Sequence, residues 1–277
     1  MNVKEGTFYG VGEAKLYYRM IQPMSKPKGV VIVVHGHGDH SGGLQNLLDK
    51  LTEHQYIVYA FDLRGHGQSV GTRGFIKKWD EYRGDLHTFR QMVESESANL
   101  PLFLIGHSLG GVISLEYCLV HGTGIRGLVA IAPAISYKIK PIEKLLIPIL
   151  SKIKPDYTIT SASNQSLLTK DPKMIKRLNS DGLRHNTVTP GLGQGLLQTV
   201  SNLETNADKI TLPLLLQFGL KDEITPPEKL RDFFHFIGSK EKVMKEYDEM
   251  RHRPFDEVGR EQFYHDLIDW LEVQLSK

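Results

Sequence analysis

Cysteine is almost missing from this chain of 277 residues: Cys118 stands alone. No disulfide can form within it, and a thiolate zinc site needs more cysteines than one. Such usage suits a reducing, cytoplasmic compartment, although a secreted bacterial enzyme can also lack disulfides. No run of eighteen apolar residues occurs, so no transmembrane helix is expected. Charge of one sign is lacking too. Lys and Arg number 34 against 32 Asp and Glu, a net of +2 (34 − 32), and nothing global points to nucleic acid. The opening "MNVKEGTFYGVGEAKLYYRM" has no apolar core after its charges, so no secretory signal is expected. Repeats and low-complexity tracts are missing as well.

What is present alternates. The first twenty residues read as edge strands. "GVVIVV" (29–34), "YIVYAF" (56–61), "PLFLIG" (101–106), "RGLVAIAP" (126–133) and "LPLLLQFG" (212–219) are short and apolar on both faces, as central parallel strands are. "KVMKEY" (242–247) reads as a further strand. Helical spacing lies between them at 44–54, 80–96, 109–120 and 226–237, and closes the chain at 255–275. This rhythm predicts an α/β domain with a mostly parallel central sheet flanked by helices. It breaks between Pro133 and Ile210, where no strand-like run appears. Unstructured loops of that length are uncommon in compact domains. Residues 134–209 therefore read as an inserted helical cap, with 1–133 and 210–277 as the core.

"VVHGHGDHSGG" (33–43) admits two incompatible readings. As His-x-His-x-Asp-His it is the ligand run of a dinuclear metallohydrolase. As His-Gly-x-Gly after an apolar strand it is an oxyanion loop that works through backbone N–H groups. The metal reading needs a bridging carboxylate a short way on, yet no Asp occurs between Ser108 and Asp156. Glu116 and Glu143 sit in apparent helices, which leaves that ligand set incomplete. The oxyanion reading has no such gap: the N–H of His37 can pair with that of Leu109. Metal-dependent hydrolysis stays as the different-class alternative.

"IGHSLGG" (105–111) carries the strongest signal. Gly106-His107-Ser108-Leu109-Gly110 fits Gly-x-Ser-x-Gly, follows a strand and opens a helix. That setting makes a sharp turn and lifts the serine oxygen above the sheet. A serine hydroxyl is inert until a base takes its proton. Asp222 lies just past "LPLLLQFG", where a triad acid belongs, with Glu223 as near competitor and helix capping as its plainer role. His252 lies in the loop after the next strand and is the expected base. His265 and His235 fall within helical patterns. "FDLRGHGQS" (61–69) reads as a turn whose Asp62, Arg64, His66 and Ser69 brace one another. In the cap, Ile142, Leu145, Leu146, Ile149, Leu150 and Ile153 follow helical spacing among Lys138, Lys140, Lys144, Lys152 and Lys154. Such a stripe either packs inward or lies on a membrane or over an acyl tunnel, and Pro148 would kink it.

Taken together, "HGHGDHSG", "FDLRGHGQS", "GHSLGG", the cap segment "NSDGL", the "LPLLLQFGLKDEITPP" loop and the "RHRPFDE" loop give the chain a resemblance. It resembles the monoacylglycerol lipase and lysophospholipase branch of the serine α/β-hydrolases along most of its length. The resemblance implies an α/β-hydrolase fold with a mobile apolar cap and hydrolysis of single-chain lipid esters without a cofactor. Monoacylglycerol is the expected substrate, with lysophospholipids or short-chain esters as alternatives. It implies Ser108, Asp222 and His252 as triad, His37 and Leu109 as oxyanion donors, and Ile142, Leu145, Leu146 and Ile149 against the acyl chain. Peripheral membrane contact through the cap is compatible with it. Two departures stand out: His37 replaces a small residue, and Leu109 stands where Met is frequent.

Overall fold

The computed structural model describes residues 2–97, 99–135 and 141–277, with the side chains of 141–144 outside the description. In chain order it has β1 (Asn2–Tyr9), β2 (Lys15–Gln22), β3 (Gly29–Val34), α1 (Gln45–Glu53), β4 (Tyr56–Phe61), α2 (Asp80–Glu96), β5 (Leu102–His107), α3 (Leu109–His121) and β6 (Ile125–Ile131). Then follow α4 (Pro141–Ile153), β7 (Ile159–Thr160), α5 (Pro172–Ser180), β8 (Thr187–Val188) and α6 (Pro190–Thr205). The chain closes with β9 (Leu214–Gly219), α7 (Pro227–Phe236), β10 (Lys242–Tyr247) and α8 (Glu261–Leu275).

Eight strands form one sheet in the order β1-β2-β4-β3-β5-β6-β9-β10. β1 and β2 pair antiparallel at one edge, β2 meets β4 antiparallel, and every later pairing is parallel. Alternation along the buried strands splits the core in two. Val30, Ile32 and Val34 with Tyr59 and Phe61 pack under Leu86 and Phe89 of α2 and Val112 and Ile113 of α3. Val31 and Val33 with Phe103 and Ile105 pack under Leu47, Leu48 and Leu51 of α1 and Phe263 and Leu267 of α8. Helices thus cover both faces, which is why the central strands carry apolar residues on both faces. Each such fully buried side chain contributes about 1.5–3 kcal/mol.

Parallel register puts the C-terminal ends of β3, β5, β9 and β10 at one rim. Val34 pairs with Phe61 and Gly106, and Tyr247 with Gly219. Every strand of this sheet comes from residues 2–131 and 214–247. Residues 141–205 add three helices and, contrary to the sequence expectation, a two-stranded ladder of β7 with β8. Two residues per strand are too short to leave a periodic signal. Among the described residues no helix is long and apolar enough to cross a membrane.

Candidate active site

Ser108 sits between the end of β5 and the start of α3 with φ 53° and ψ −117°. A non-glycine residue in that region is strained and is held there by its surroundings. The surroundings are close. A methyl on Gly110 would lie 2.2 Å from the Val34 carbonyl, and one on Gly106 2.3 Å from the Gly110 carbonyl. The Ser108 N–H donates to Ile131 O at 3.0 Å, and its carbonyl accepts from Ala134 N at 3.0 Å. The first N–H groups of α3, Leu109 among them, have no intrahelical acceptor and face the rim with the positive end of the helix dipole.

Asp222 and His252 are brought together. His252 Nδ1 donates to Asp222 Oδ2 at 2.7 Å. Thr225 Oγ donates to the same oxygen at 2.6 Å, while Ile224 N and Thr225 N donate to Oδ1 at 2.8 and 2.9 Å. Burial works to raise the Asp222 pKa, but His252 and the Thr225 donors prevail and hold it below the ordinary carboxylate value. With Nδ1 committed to the carboxylate, His252 keeps Nε2 as the acceptor that a base needs. Glu223, the competing acid, is exposed. The link to the elbow runs through His107, whose Nε2 donates to the His252 carbonyl at 3.0 Å and whose ring lies 4.9 Å from the His252 ring. Ser108, next to His107, thus stands at the same rim as the imidazole–carboxylate pair.

The turn after β3 faces the elbow directly. A methyl on Gly36 would lie 3.0 Å from Ser108 Cβ. Asp39 N closes the turn onto Gly36 O at 3.3 Å, with His37 inside it. The metal reading of this run meets occupied donors. His35 donates from Nδ1 to Gly36 O at 2.7 Å and accepts from Leu63 N on Nε2 at 2.9 Å. His40 accepts from Gly42 N at 3.2 Å and pairs with Asp181 at 2.8 Å. Asp39 is claimed by Arg184 and Arg253. Among the described residues no three His, Cys, Asp or Glu side chains are placed to share a metal. "FDLRGHGQS" is a bracing turn as read: Asp62 accepts from Ser41 N at 2.7 Å and Gln68 N at 2.8 Å, and Arg64 grips Asp85 at 2.7 Å.

The α4 residues expected against an acyl chain are turned outward. Leu145, Leu146 and Ile149 are 65, 42 and 49% exposed, and the side chain of Ile142 lies outside the described residues. The helical spacing is as read, with Pro148 inside α4, but the marked face looks to solvent. Sequence spacing fixes which residues share a face, not what the face meets.

Sequence reading did not single out Thr225, His185, Arg184 or Arg253. Thr225 left a weak signal, a hydroxyl three residues after a buried carboxylate. The other three act through distant contacts. The His185 ring lies 4.6 Å from that of His66 and meets that of His37 edge-on at 5.3 Å, and the His37 ring lies 5.5 Å from that of His66. Burial, the largest influence in each case, lowers His37 to about 3, His185 to about 4, His66 and His107 well below the ordinary value, and His35 below it. Their unfolded value is about 6.5, so the unfolded chain binds protons that the fold refuses. Their contribution to stability is complete above about pH 6.5 and is lost as pH falls through their depressed folded values. Thermal melts should therefore drop steadily from pH 7 to pH 4. A melting temperature that stays flat between pH 7 and 5 would contradict this account.

Comparison with known proteins agrees with the geometry. The family described as serine aminopeptidase, S33, matches residues 25–259. An abhydrolase domain-containing protein of Dictyostelium discoideum is 30% identical over 267 residues, 94% of this chain, which spans 28% of that protein's length. The monoacylglycerol lipase of Mycolicibacterium smegmatis is 26% identical over 274 residues, 98% of each chain. The crystal structure of Paleococcus ferrophilus monoacylglycerol lipase aligns with a TM-score of 0.82 at 29% identity, over 99% of this chain and 100% of that one. With that family matched over residues 25–259, the chain belongs to the serine aminopeptidase, S33, family, in the monoacylglycerol lipase branch of the α/β-hydrolases, and is a serine hydrolase.

Proposed function

We propose that the chain hydrolyses monoacylglycerols to fatty acid and glycerol through an acyl-enzyme on Ser108. The 2.7 Å His252–Asp222 contact at the rim that carries Ser108 is the observation that carries this reading. His252 Nε2 takes the Ser108 proton as Oγ attacks the ester carbonyl. The tetrahedral oxyanion is held by the N–H groups of His37 and Leu109. Collapse breaks the bond to the glycerol oxygen, which receives the proton from His252. Water, losing its proton to His252, then attacks the acyl carbonyl; fatty acid leaves and Ser108 is reprotonated. The steps balance without a cofactor. Two relatives named monoacylglycerol lipase, matching nearly end to end, favour glycerol as the head group.

In this reading residues 1–133 and 210–277 form the catalytic core and 134–209 the cap. The outward face of α4 supports peripheral membrane contact from the cytoplasmic side. Leu145, Leu146, Ile149 and Ile153 share it, with exposed Tyr157 and Ile159 beyond. An apolar patch flanked by Lys152 and Lys154 suits a lipid surface. Replacing Leu145 and Ile149 together by Asp should cut turnover of vesicle-borne monoacylglycerol about tenfold, a loss of about 1.4 kcal/mol in docking. Turnover of soluble p-nitrophenyl butyrate should stay within about twofold, the scatter typical of surface changes. Equal loss on both substrates would remove the membrane role.

The activity itself is tested by a fluorophosphonate adduct mapped by mass spectrometry, expected on Ser108, followed by a chain-length series. Glycerol esters should outrank choline lysophospholipids and p-nitrophenyl esters of the same acyl chain. Preference for the lysophospholipid would overturn the head-group assignment.

A further inference from the structure

Arg253 follows the base His252 in sequence and is buried, 1% exposed. Its guanidinium holds one partner within that loop and two in the turn after β3. Nε donates to Asp256 Oδ2 at 2.7 Å, Nη1 donates to Asp39 Oδ2, and Nη2 donates to Gly43 O at 2.7 Å. Asp39 and Gly43 bracket the segment that follows His37. Asp39 also closes the turn that contains His37, through its N–H to Gly36 O. The same carboxylate pairs with Arg184 at 2.5 Å, and Gly38 O accepts from His185 N at 3.1 Å, both contacts from the cap. Gly38 has φ +68°, and a methyl there would lie 2.0 Å from the His185 carbonyl, so cap and turn are in direct contact. Arg253 N donates to Leu168 O at 2.9 Å, which ties the base loop to the cap as well. Asp39 is therefore the joint of three segments: the His37 turn, the cap and the base loop.

We infer that Arg253 is a positioning residue that, through Asp39 and Gly43, holds the His37 N–H in register with the base His252. This rests on the serine-hydrolase reading of the site. Stability alone does not account for the arrangement, because buried ion pairs stabilise little compared with apolar packing of the same volume. Geometry does: a guanidinium fork can hold a carboxylate and a carbonyl at once, and an ammonium cannot fix both directions. The two arginines and the two carboxylates Asp39 and Asp256 balance in charge.

Oxyanion donors act on the transition state and hardly on the bound ester, so a displaced turn lowers kcat and leaves KM nearly alone. The test uses the full chain, p-nitrophenyl butyrate, and kcat per active site titrated with a fluorophosphonate. Arg253→Lys keeps the charge without the fork, and Asp39→Asn keeps the shape without the charge. Each should lower kcat about tenfold or more, short of the roughly 10²–10³ for outright loss of a donor. KM should stay within about threefold. The double variant should lose no more than about threefold beyond the worse single variant, since the Arg253–Asp39 link is already broken in each single one. Arg253→Met is the harsher version; should it fail to fold, the two milder variants carry the comparison. Unchanged kcat per titrated site in the folded variants, or losses that multiply in the double variant, overturns the positioning role. A wild-type chain that the fluorophosphonate does not label overturns the serine reading, and this inference with it.

Discussion

Ser108→Ala should leave a folded protein whose ester turnover has fallen about 10⁶-fold, the scale seen when a triad serine or histidine is removed. The size follows from what is lost. Without Oγ no acyl-enzyme forms, and only solvent attack on a bound ester remains. The fold should survive, because the backbone contacts that impose φ 53° at this residue use its N–H and carbonyl, not its side chain. Alanine tolerates that backbone no better and no worse than serine, so the melting temperature should move little. Steady-state hydrolysis of p-nitrophenyl butyrate and a thermal melt check both halves. Activity above about 1% of wild type would place the nucleophile elsewhere.

Asp222→Asn should cost about 10⁴-fold in kcat, with the structure intact. The carboxylate accepts four hydrogen bonds, from Ile224 N, Thr225 N, Thr225 Oγ and His252 Nδ1. An amide keeps the shape but turns one oxygen into a donor. With its nitrogen at the Oδ2 position the amide faces Thr225 Oγ and His252 Nδ1 with a donor, and with its nitrogen at the Oδ1 position it does so to the N–H groups of Ile224 and Thr225. If His252 adapts by protonating Nε2 instead of Nδ1, the base is lost while the geometry remains. Glu223→Gln, at the exposed neighbour, should change kcat by less than about twofold, as surface substitutions do. A larger loss at Glu223 than at Asp222 would reverse the assignment of the acid.

Legibility in the sequence was uneven for physical reasons. "IGHSLGG" was readable because strand, turn and helix signals coincide within seven residues. Asp222 and His252, which the structure brings into contact, each leave a local signal because each follows its own apolar run. The α4 stripe was readable in spacing and unreadable in orientation, since period alone does not say whether a face meets protein, lipid or water. The histidine run at 35–40 was ambiguous because its chemistry depends on partners far along the chain. His40 is committed by Asp181, 141 positions away, and Asp39 by Arg253, 214 positions away.

From its sequence alone the chain determined its class: buried parallel strands, helices between them, and a serine on a glycine-flanked turn. Those features arise from local periodicity and local sterics, which act between residues a few positions apart. Tertiary structure alone decided that His252 meets Asp222, that Thr225 and His107 brace the pair, that α4 shows its apolar face to solvent, and that Arg253 grips the turn after β3. Such pairings join segments widely separated in sequence, and only the close packing of the folded sheet and its loops brings their polar groups within hydrogen-bonding distance.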